Sequence, residues 1–466
     1  MSSKRLSVLD AGFLQMEGKH TPMHIGGLAL YRMPKDAGKD YLLEMRKSFA
    51  EYQALRYPFG HCLETPERAV PPPRMRLDPE FDLEYHVRHS ALPQPGRYRE
   101  LFELVSRLHG IPLDRTRPLW EFHLIEGLPD NQFASYTKIH HALMDGSAGT
   151  RMLQGSLNPN SRKRHTPPFW SAELQTEHVA AFKKETANAT EALLAQFRSQ
   201  TSLLPELVKT GQQMLDAALR PEQSKLQLQY SAPKSILNGN LSAQRRSVCQ
   251  SWPQARLANL AKKLDVTLND VFLAMCAGGL RRYLMSQNAL PSQAITACVP
   301  VAITSDKAQD GGNAISTVIA NLGTHLVDPE KRLACITQSM RSAKQMLSGM
   351  SPNGILAYTV LSGMPAMVEQ LVGGINRLPP MYNLVISNVP GPKKPLYWNG
   401  AKLEHSYPIS LLPAGQNLNI TLFSYAGSLD VSMVACRRRL PHMQRLIDHL
   451  EEALAELEAL AGPAAE

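Results

Sequence analysis

The sequence predicts a mixed α/β protein made of two lobes, each a mixed sheet with helices packed against it. Two observations carry this. Strand-like and helix-like segments interleave in both halves of the 466-residue chain, and a proline-rich, basic break lies between the halves. The composition agrees: 43% of residues are hydrophobic, and 34 Pro and 29 Gly are spread along the chain rather than gathered into repeats, which excludes collagen-like, coiled-coil and fully disordered chains.

In chain order, helical spacing covers Tyr41 to Leu55 and Tyr98 to His109, with strand-like segments between them. Trp120 to Leu128 and Phe133 to His140 flank the turn residues Pro129, Asp130, Asn131 and Gln132, so they read as an antiparallel hairpin. A helix from about Ala148 to Leu157 follows. Residues 1–157 form the first lobe. Asn158, Pro159, Asn160, the basic Arg162, Lys163, Arg164, and then Pro167 and Pro168 open a connector, 158–244, with two helices near Ala172 to Ser199 and Leu203 to Leu219.

The second lobe, 245–466, begins near Arg245. Its clearest helix runs from Val266 to Leu284, with Leu268, Val271, Phe272, Met275 and Leu280 close to one face. Thr267 followed three residues later by Asp270 resembles a capping box with Asp in place of Glu. Leu418 to Tyr425 and Leu429 to Cys436 alternate around a short turn as a second hairpin. Pro441 starts a last helix ending near Leu460, before Gly462 and Pro463.

Lys and Arg number 50 against 41 Asp and Glu, a formal charge of +9, so the surface attracts polyanions, anionic headgroups or phosphorylated substrates without choosing among them. The six cysteines, Cys62, Cys249, Cys276, Cys298, Cys335 and Cys436, form no C-x-x-C pair, which points to a reducing cytosol. Met1 to Leu9 has no apolar core of a secretory signal. Leu356 to Ile375, interrupted by Pro365, Glu369 and Gln370, is a poor spanning helix, so membrane contact is expected to be peripheral.

The strongest local signal is His140, His141, Ala142, Leu143, Met144, Asp145, Gly146, where the first hairpin's return strand ends and a helix begins. A neutral imidazole can take a proton from a hydroxyl and pass it to a leaving group. The alternative for a bare His-His pair is one packed and one solvated ring. Adjacent residues on an extended chain point to opposite faces, and no H-E-x-x-H helix occurs, so no metal site is expected. Gly146 allows close approach of a substrate. Asp145 either anchors a turn or an Arg, or takes part in catalysis.

His140 to Gly146 reproduces the H-H-x-x-x-D-G motif of the coenzyme A-dependent acyltransferase fold, which includes chloramphenicol acetyltransferase and peptide synthetase condensation domains. Within that fold the chain resembles the bacterial wax ester synthase/diacylglycerol acyltransferase family. Pro118, Leu119, Trp120 stand as its P-L-W, Asn269 and Asp270 open its N-D motif, Ser387 to Pro392 read S-N-V-P-G-P, and Leu9 to Leu14 look like its characteristic start. The resemblance spans almost the whole chain. It implies two chloramphenicol acetyltransferase-like lobes with an active-site tunnel between them, and His141 at that tunnel. His141 is then the general base for direct transfer from a fatty acyl-CoA to a long-chain alcohol or diacylglycerol. Acyl-CoA is a substrate, and no cofactor, acyl-enzyme or nucleic acid is implied.

Neither Ser147 nor a thiol is therefore taken as a nucleophile. Asn269 is either an oxyanion donor or helix N-terminal packing, and Asp270 a cap or ion-pair partner. Asn388, Pro390 and Gly391 either line the cleft or simply form a turn, and Trp120 is scaffold. Met350, Leu356, Met364, Met367, Pro413, Ala414 and Gly415 are candidates for an acyl channel, or for core packing. Arg162 to Arg164, or Arg245 with Arg246, are candidates for a basic rim toward the coenzyme's phosphates, or for a solvated or membrane-facing surface. The expected location is cytoplasmic, on the inner face of the cell membrane or at a lipid-droplet surface. Two other readings remain: an amide-forming condensation enzyme, and a lipid-binding protein of the same fold without catalysis.

Overall fold

The computed structural model describes residues 4–52, 54–67, 73–144, 146–172, 227, 229–303, 314–350, 354–355, 358 and 379–462. The two expected connector helices, and Leu356, Met364 and Met367, lie outside the described residues.

The first lobe holds β1 (Lys4–Arg5), α1 (Val8–Met16), β2 (His24–Arg32), α2 (Tyr41–Ser48), β3 (His61–Leu63), β4 (Arg74–Leu77), α3 (Leu83–His86), β5 (Val87–Ala91), α4 (Tyr98–His109), β6 (Trp120–Glu126), β7 (Gln132–His140) and α5 (Gly146–Gly155). The second half supplies β8 (Arg245–Pro253), α6 (Gln254–Lys263), α7 (Leu268–Ser286), β9 (Thr296–Ile303), β10 (Ala314–Asn321), α8 (Pro329–Ser348) and β11 (Leu384–Pro390). It continues with β12 (Tyr397–Trp398), β13 (Ala401–Ile409), β14 (Leu418–Tyr425), β15 (Ser428–Cys436) and α9 (Leu446–Leu460). Both hairpins form as expected. The helix expected from Tyr41 to Leu55 ends at Ser48 and tightens into a 3₁₀ turn, Phe49–Glu51.

Two six-stranded mixed sheets result, ordered β12-β13-β2-β7-β6-β5 and β10-β9-β11-β14-β15-β8. They do not sort by sequence half. Strands β12 and β13 come from the second half, yet β13 pairs antiparallel with β2 and completes the first sheet. All nine residues of β7 are buried, because both faces of its sheet are covered. One face packs Phe133, Ile139, Trp120 and Trp170 into the first lobe's core. The other meets Leu101 and Val105 of α4 together with Cys249 and Val434 of the second sheet.

The second lobe is built around α7. Thr267 Oγ1 accepts from Asp270 N at 3.1 Å while Asp270 Oδ2 accepts from Thr267 N at 3.1 Å, the reciprocal cap read from the sequence. Burial is not limited to one stripe: it is continuous from Asp270 to Leu280, because α9 and α8 cover what the sheet does not. Close contact with α9 needs glycine. A Cβ on Gly278 would lie 2.6 Å from Ala453 Cβ, and one on Gly279 2.8 Å from Leu450 Cδ2. Among the described residues, no helix is long and apolar enough to cross a membrane.

The crossing strand β13 is pinned to the second sheet by Asp430 of β15, which is fully buried. Its carboxylate accepts from Ser251 Oγ at 2.6 Å, Ser428 Oγ at 2.7 Å, Ser406 N at 2.8 Å and His405 Nδ1 at 3.0 Å. Both His405 and Ser406 belong to β13, so one carboxylate joins the two sheets. Replacing Asp430 by Ala leaves the Ser406 N–H buried without its acceptor. The expected loss is roughly 3 kcal/mol of unfolding free energy, read from the urea midpoint at unchanged slope. A loss below about 1 kcal/mol would show that Asp430 does not hold the sheets together.

Candidate active site

The hairpin β6–β7 delivers the His-His pair to the end of a central strand. His140 is the last residue of β7 and sits across from His24 of β2. Its backbone N–H donates to Leu119 O at 3.0 Å, within the Pro118-Leu119-Trp120 segment. That segment is rigid: Leu119 and Trp120 are fully buried, Trp120 N donates to Pro118 O at 2.8 Å, and Trp120 Nε1 donates to Phe59 O at 2.8 Å. Trp120 also stacks on His86 and Trp170, with ring centroids 4.6 and 5.5 Å away. These contacts fix where β7 stops.

The His140 side chain is wholly buried. Its Nδ1 accepts from Ala142 N at 3.0 Å, which assigns the proton to Nε2, and Nε2 lies 3.4 Å from Glu17 Oε1. Glu17 caps the C-terminal end of α1, where its carboxylate also accepts from Met23 N at 3.0 Å and from Arg115 Nε at 3.0 Å. Burial pushes the Glu17 carboxyl up, but His140, the Met23 N–H and Arg115 outweigh it and hold the group at about 2. The first histidine is thus locked between an anion and the backbone of the turn that follows it.

His141 is half-buried and differently placed. Its backbone N–H donates to Met23 O at 2.8 Å, and its ring stacks on Phe13 of α1 at 4.0 Å with 28° between planes. Phe13 and Glu17 are four residues apart along α1 and its cap, so one short element faces both histidines. Ala142, Leu143 and Met144 run into the apolar cluster that also contains Phe423 and Tyr425 of β14, where the second lobe meets the motif.

Behind the pair lies a buried polar layer that the sequence reading missed. Lys138, two residues before His140 on the same face of β7, places Nζ 3.0 Å from Glu121 Oε2 and donates to Ile111 O at 3.1 Å. Burial raises the Glu121 carboxyl, but His123 and Lys138 hold it at about 2. His24 Nε2 donates to His109 O at 2.9 Å, and His109 bonds Tyr136 Oη at 2.8 Å and Ser410 O at 3.1 Å. Burial keeps both histidines neutral, with His109 lowered to about 3. Gly26 makes room for Tyr136, whose ring would lie 2.8 Å from a Cβ there. The readable signal was charge in the middle of a hairpin that leads to the motif: Lys138 and Glu121 sit beside apolar neighbours there.

Of the other motif residues, Asp145 lies outside the described residues, and Gly146 is the exposed first residue of α5. Asn269 and Asn388 are brought together, with Asn388 Nδ2 donating to Asn269 Oδ1 at 3.4 Å. Val389, beside Asn388, packs against the cluster holding Ala142 to Met144. Asp270 is spent on the cap described above. Gly391 answers a close approach, since a Cβ would lie 2.4 Å from Ser424 O. Arg245 is buried, and its Nη2 donates to His20 O at 2.7 Å. Arg164 lies 3.7 Å from Asp36.

Comparison with known proteins places these motifs in a common setting. Residues 6–272 match the wax ester synthase/diacylglycerol acyltransferase catalytic domain, and residues 311–458 match the WS/DGAT C-terminal domain. A probable diacylglycerol O-acyltransferase of Mycobacterium tuberculosis is 40% identical over 97% of this chain and 98% of its own length. The O-acyltransferase WSD of Acinetobacter baylyi is 39% identical over 98% of this chain and 97% of its own. The solved wax ester synthase/diacylglycerol acyltransferase of Marinobacter aquaeolei superposes with a TM-score of 0.78 at 36% identity, covering 99% of this chain and 100% of that one. The first condensation domain of a calcium-dependent antibiotic synthetase shares the fold alone, at 16% identity and a TM-score of 0.57, covering 100% of this chain and 97% of that one.

The buried neutral histidines set a pH dependence of stability. The folded value of His109 lies below its ordinary 6.5, so the unfolded chain binds the extra proton as pH falls, and stability drops from about 6.5 down to about 3. His109 alone contributes a slope of up to about 1.4 kcal/mol per pH unit in that window. Glu17 and Glu121, both held at about 2 in the folded chain, add their own loss as pH falls below their ordinary 4.5 toward about 2, because the unfolded chain takes up those protons first. The expected result is a urea midpoint that falls steadily from pH 7 to pH 5. A constant midpoint over that range would contradict the burial of these rings.

Proposed function

The chain belongs to the wax ester synthase/diacylglycerol acyltransferase family of acyl-CoA-dependent O-acyltransferases, and on that premise we propose which reaction it performs and how. The reaction is transfer of a long-chain fatty acyl group from acyl-CoA to a fatty alcohol, giving a wax ester, or to diacylglycerol, giving triacylglycerol. The observation that carries this reading is the half-buried His141 ring, held against Phe13 at the end of β7 while His140 is locked away on Glu17.

In this mechanism His141 removes the proton from the acceptor hydroxyl as its oxygen attacks the thioester carbon. The C–S bond breaks as the tetrahedral oxyanion collapses, and the imidazolium returns its proton to the CoA thiolate. One residue serves as base and then acid, no acyl-enzyme forms, and no cofactor is used. Asn269, its carbonyl engaged by Asn388, keeps its amide N–H groups as donors for the oxyanion. Glu17 is a positioning residue: through His140 Nδ1 and the Ala142 N–H it fixes the turn that carries His141. Both lipid substrates partition into membranes, so the enzyme works by peripheral contact with the inner membrane face or a lipid droplet.

The test is thiol release from palmitoyl-CoA with hexadecanol, diacylglycerol or a long-chain amine. CoA is expected with an alcohol acceptor, and His141→Ala is expected to lower kcat by roughly 100 to 10,000 fold. Equal release by the variant removes His141 from the mechanism, and release with the amine alone indicates a condensation chemistry. Glu17→Gln is expected to lower kcat on the order of 100-fold with little change in KM, the pattern of a misplaced base. A rise in KM at unchanged kcat would mean that Glu17 serves substrate binding instead.

A further inference from the structure

A cleft of about 610 Å³ lies away from the His-His pair, between α4 and the start of β8, where the two lobes meet. Four of its lining residues are Arg107, Arg245, Arg246 and Arg437, against two acids, Glu100 and Glu103. Both acids are already engaged. Glu100 pairs with Arg97 at 2.9 Å, and Glu103 with Arg99 at 3.4 Å and Arg246 at 3.8 Å. Arg107 and Arg437 are exposed and pair with no carboxylate among the described residues. Arg245 is 4% exposed, and among the described residues its guanidinium meets the carbonyls of Ser242 and His20 and no carboxylate. A buried guanidinium with carbonyl partners and no counter-charge is an unbalanced site. Burial and repulsion by Arg437 also lower the pKa of Arg246. A bound anion relieves each of these costs.

We infer that this cleft binds phosphate groups, and specifically the phosphorylated nucleotide end of the acyl-CoA donor, an assignment that rests on the acyl-CoA reading above. Guanidinium forks match phosphate oxygens in geometry as well as charge. The cleft is also tied to the chemistry through one short segment. Arg245 holds His20 O and Met23 O holds His141 N, and the three residue steps from His20 to Met23 span at most about 11 Å. A nucleotide bound here would therefore rest on the same short segment that braces His141. The wall itself is the end of α4 and the residues just after it, where the His109 and Ile111 carbonyls receive His24 and Lys138 beside His140. A flat anionic bilayer is the poorer occupant, because Arg245 lies buried behind the cleft surface rather than protruding from it.

Binding of adenosine 3',5'-bisphosphate to the full chain, followed by calorimetry, separates this site from the chemistry. Wild type and His141→Ala are expected to bind it equally, so loss of transfer in His141→Ala leaves the site intact. The exposed double variant Arg107→Gln/Arg437→Gln is expected to weaken binding about tenfold or more, and to raise KM for palmitoyl-CoA by a similar factor relative to KM for S-palmitoyl-pantetheine, which lacks the nucleotide. Bisphosphate binding that is unchanged in the double variant overturns the assignment. So does a double variant that loses only its binding to phosphatidylglycerol vesicles, since the arginines would then serve a lipid headgroup.

Discussion

The hydrogen bonds around His140 and the carboxylate beside it are the constraint on which the rest of the site depends. A fully buried imidazole is tolerated because the Leu119 carbonyl takes its backbone N–H, the Ala142 N–H meets Nδ1, and the Glu17 carboxylate lies 3.4 Å from Nε2, an electrostatic neighbour without a well-formed hydrogen bond. Glu17 in turn is ionised because Arg115 and the Met23 N–H oppose its burial. The outcome is a division of labour between adjacent histidines. One is consumed by structure, and the other is left on the surface of the turn with an aromatic ring across its face.

That arrangement draws on parts of the chain far apart in sequence. Helix α1 supplies Phe13 and Glu17, the Pro118 to Trp120 segment fixes the strand end, and α4 closes the polar layer behind. Lobe-to-lobe contacts then hold the frame. Strand β13 crosses into the first sheet and is pinned by Asp430, and His109 reaches Ser410 immediately after that strand. The turn carrying His141 therefore sits where both halves are braced, which suits the base role proposed for that ring.

Much of the fold was legible because it is local. Hairpins β6–β7 and β14–β15, the reciprocal cap at Thr267 and Asp270, and the bounds of α4 follow from alternation, turn residues and capping chemistry. Crossing of β13 was not legible, because pairing Ser406 with Ala29 is a choice among edges that periodicity does not encode. Full burial of α7 was likewise hidden, since a sequence stripe shows one face and not the second helix that covers the other. At the site, His140 and His141 stood out by residue type, and one packed beside one more open ring was among the sequence readings, but the Glu17 contact that makes His140 the packed one was not legible. Glu17, Lys138 and His109 acquire meaning mainly through partners distant in sequence, as in the 301-residue separation of His109 and Ser410.

The most direct measurement is the tautomer of His140, read from the side-chain ¹⁵N shifts of histidine-labelled protein at neutral pH. The expected spectrum shows His140 with an unprotonated Nδ1 and a protonated Nε2. A proton on Nδ1 would break the bond to Ala142, release the turn from Glu17, and contradict the assignment of the first histidine to structure and the second to chemistry.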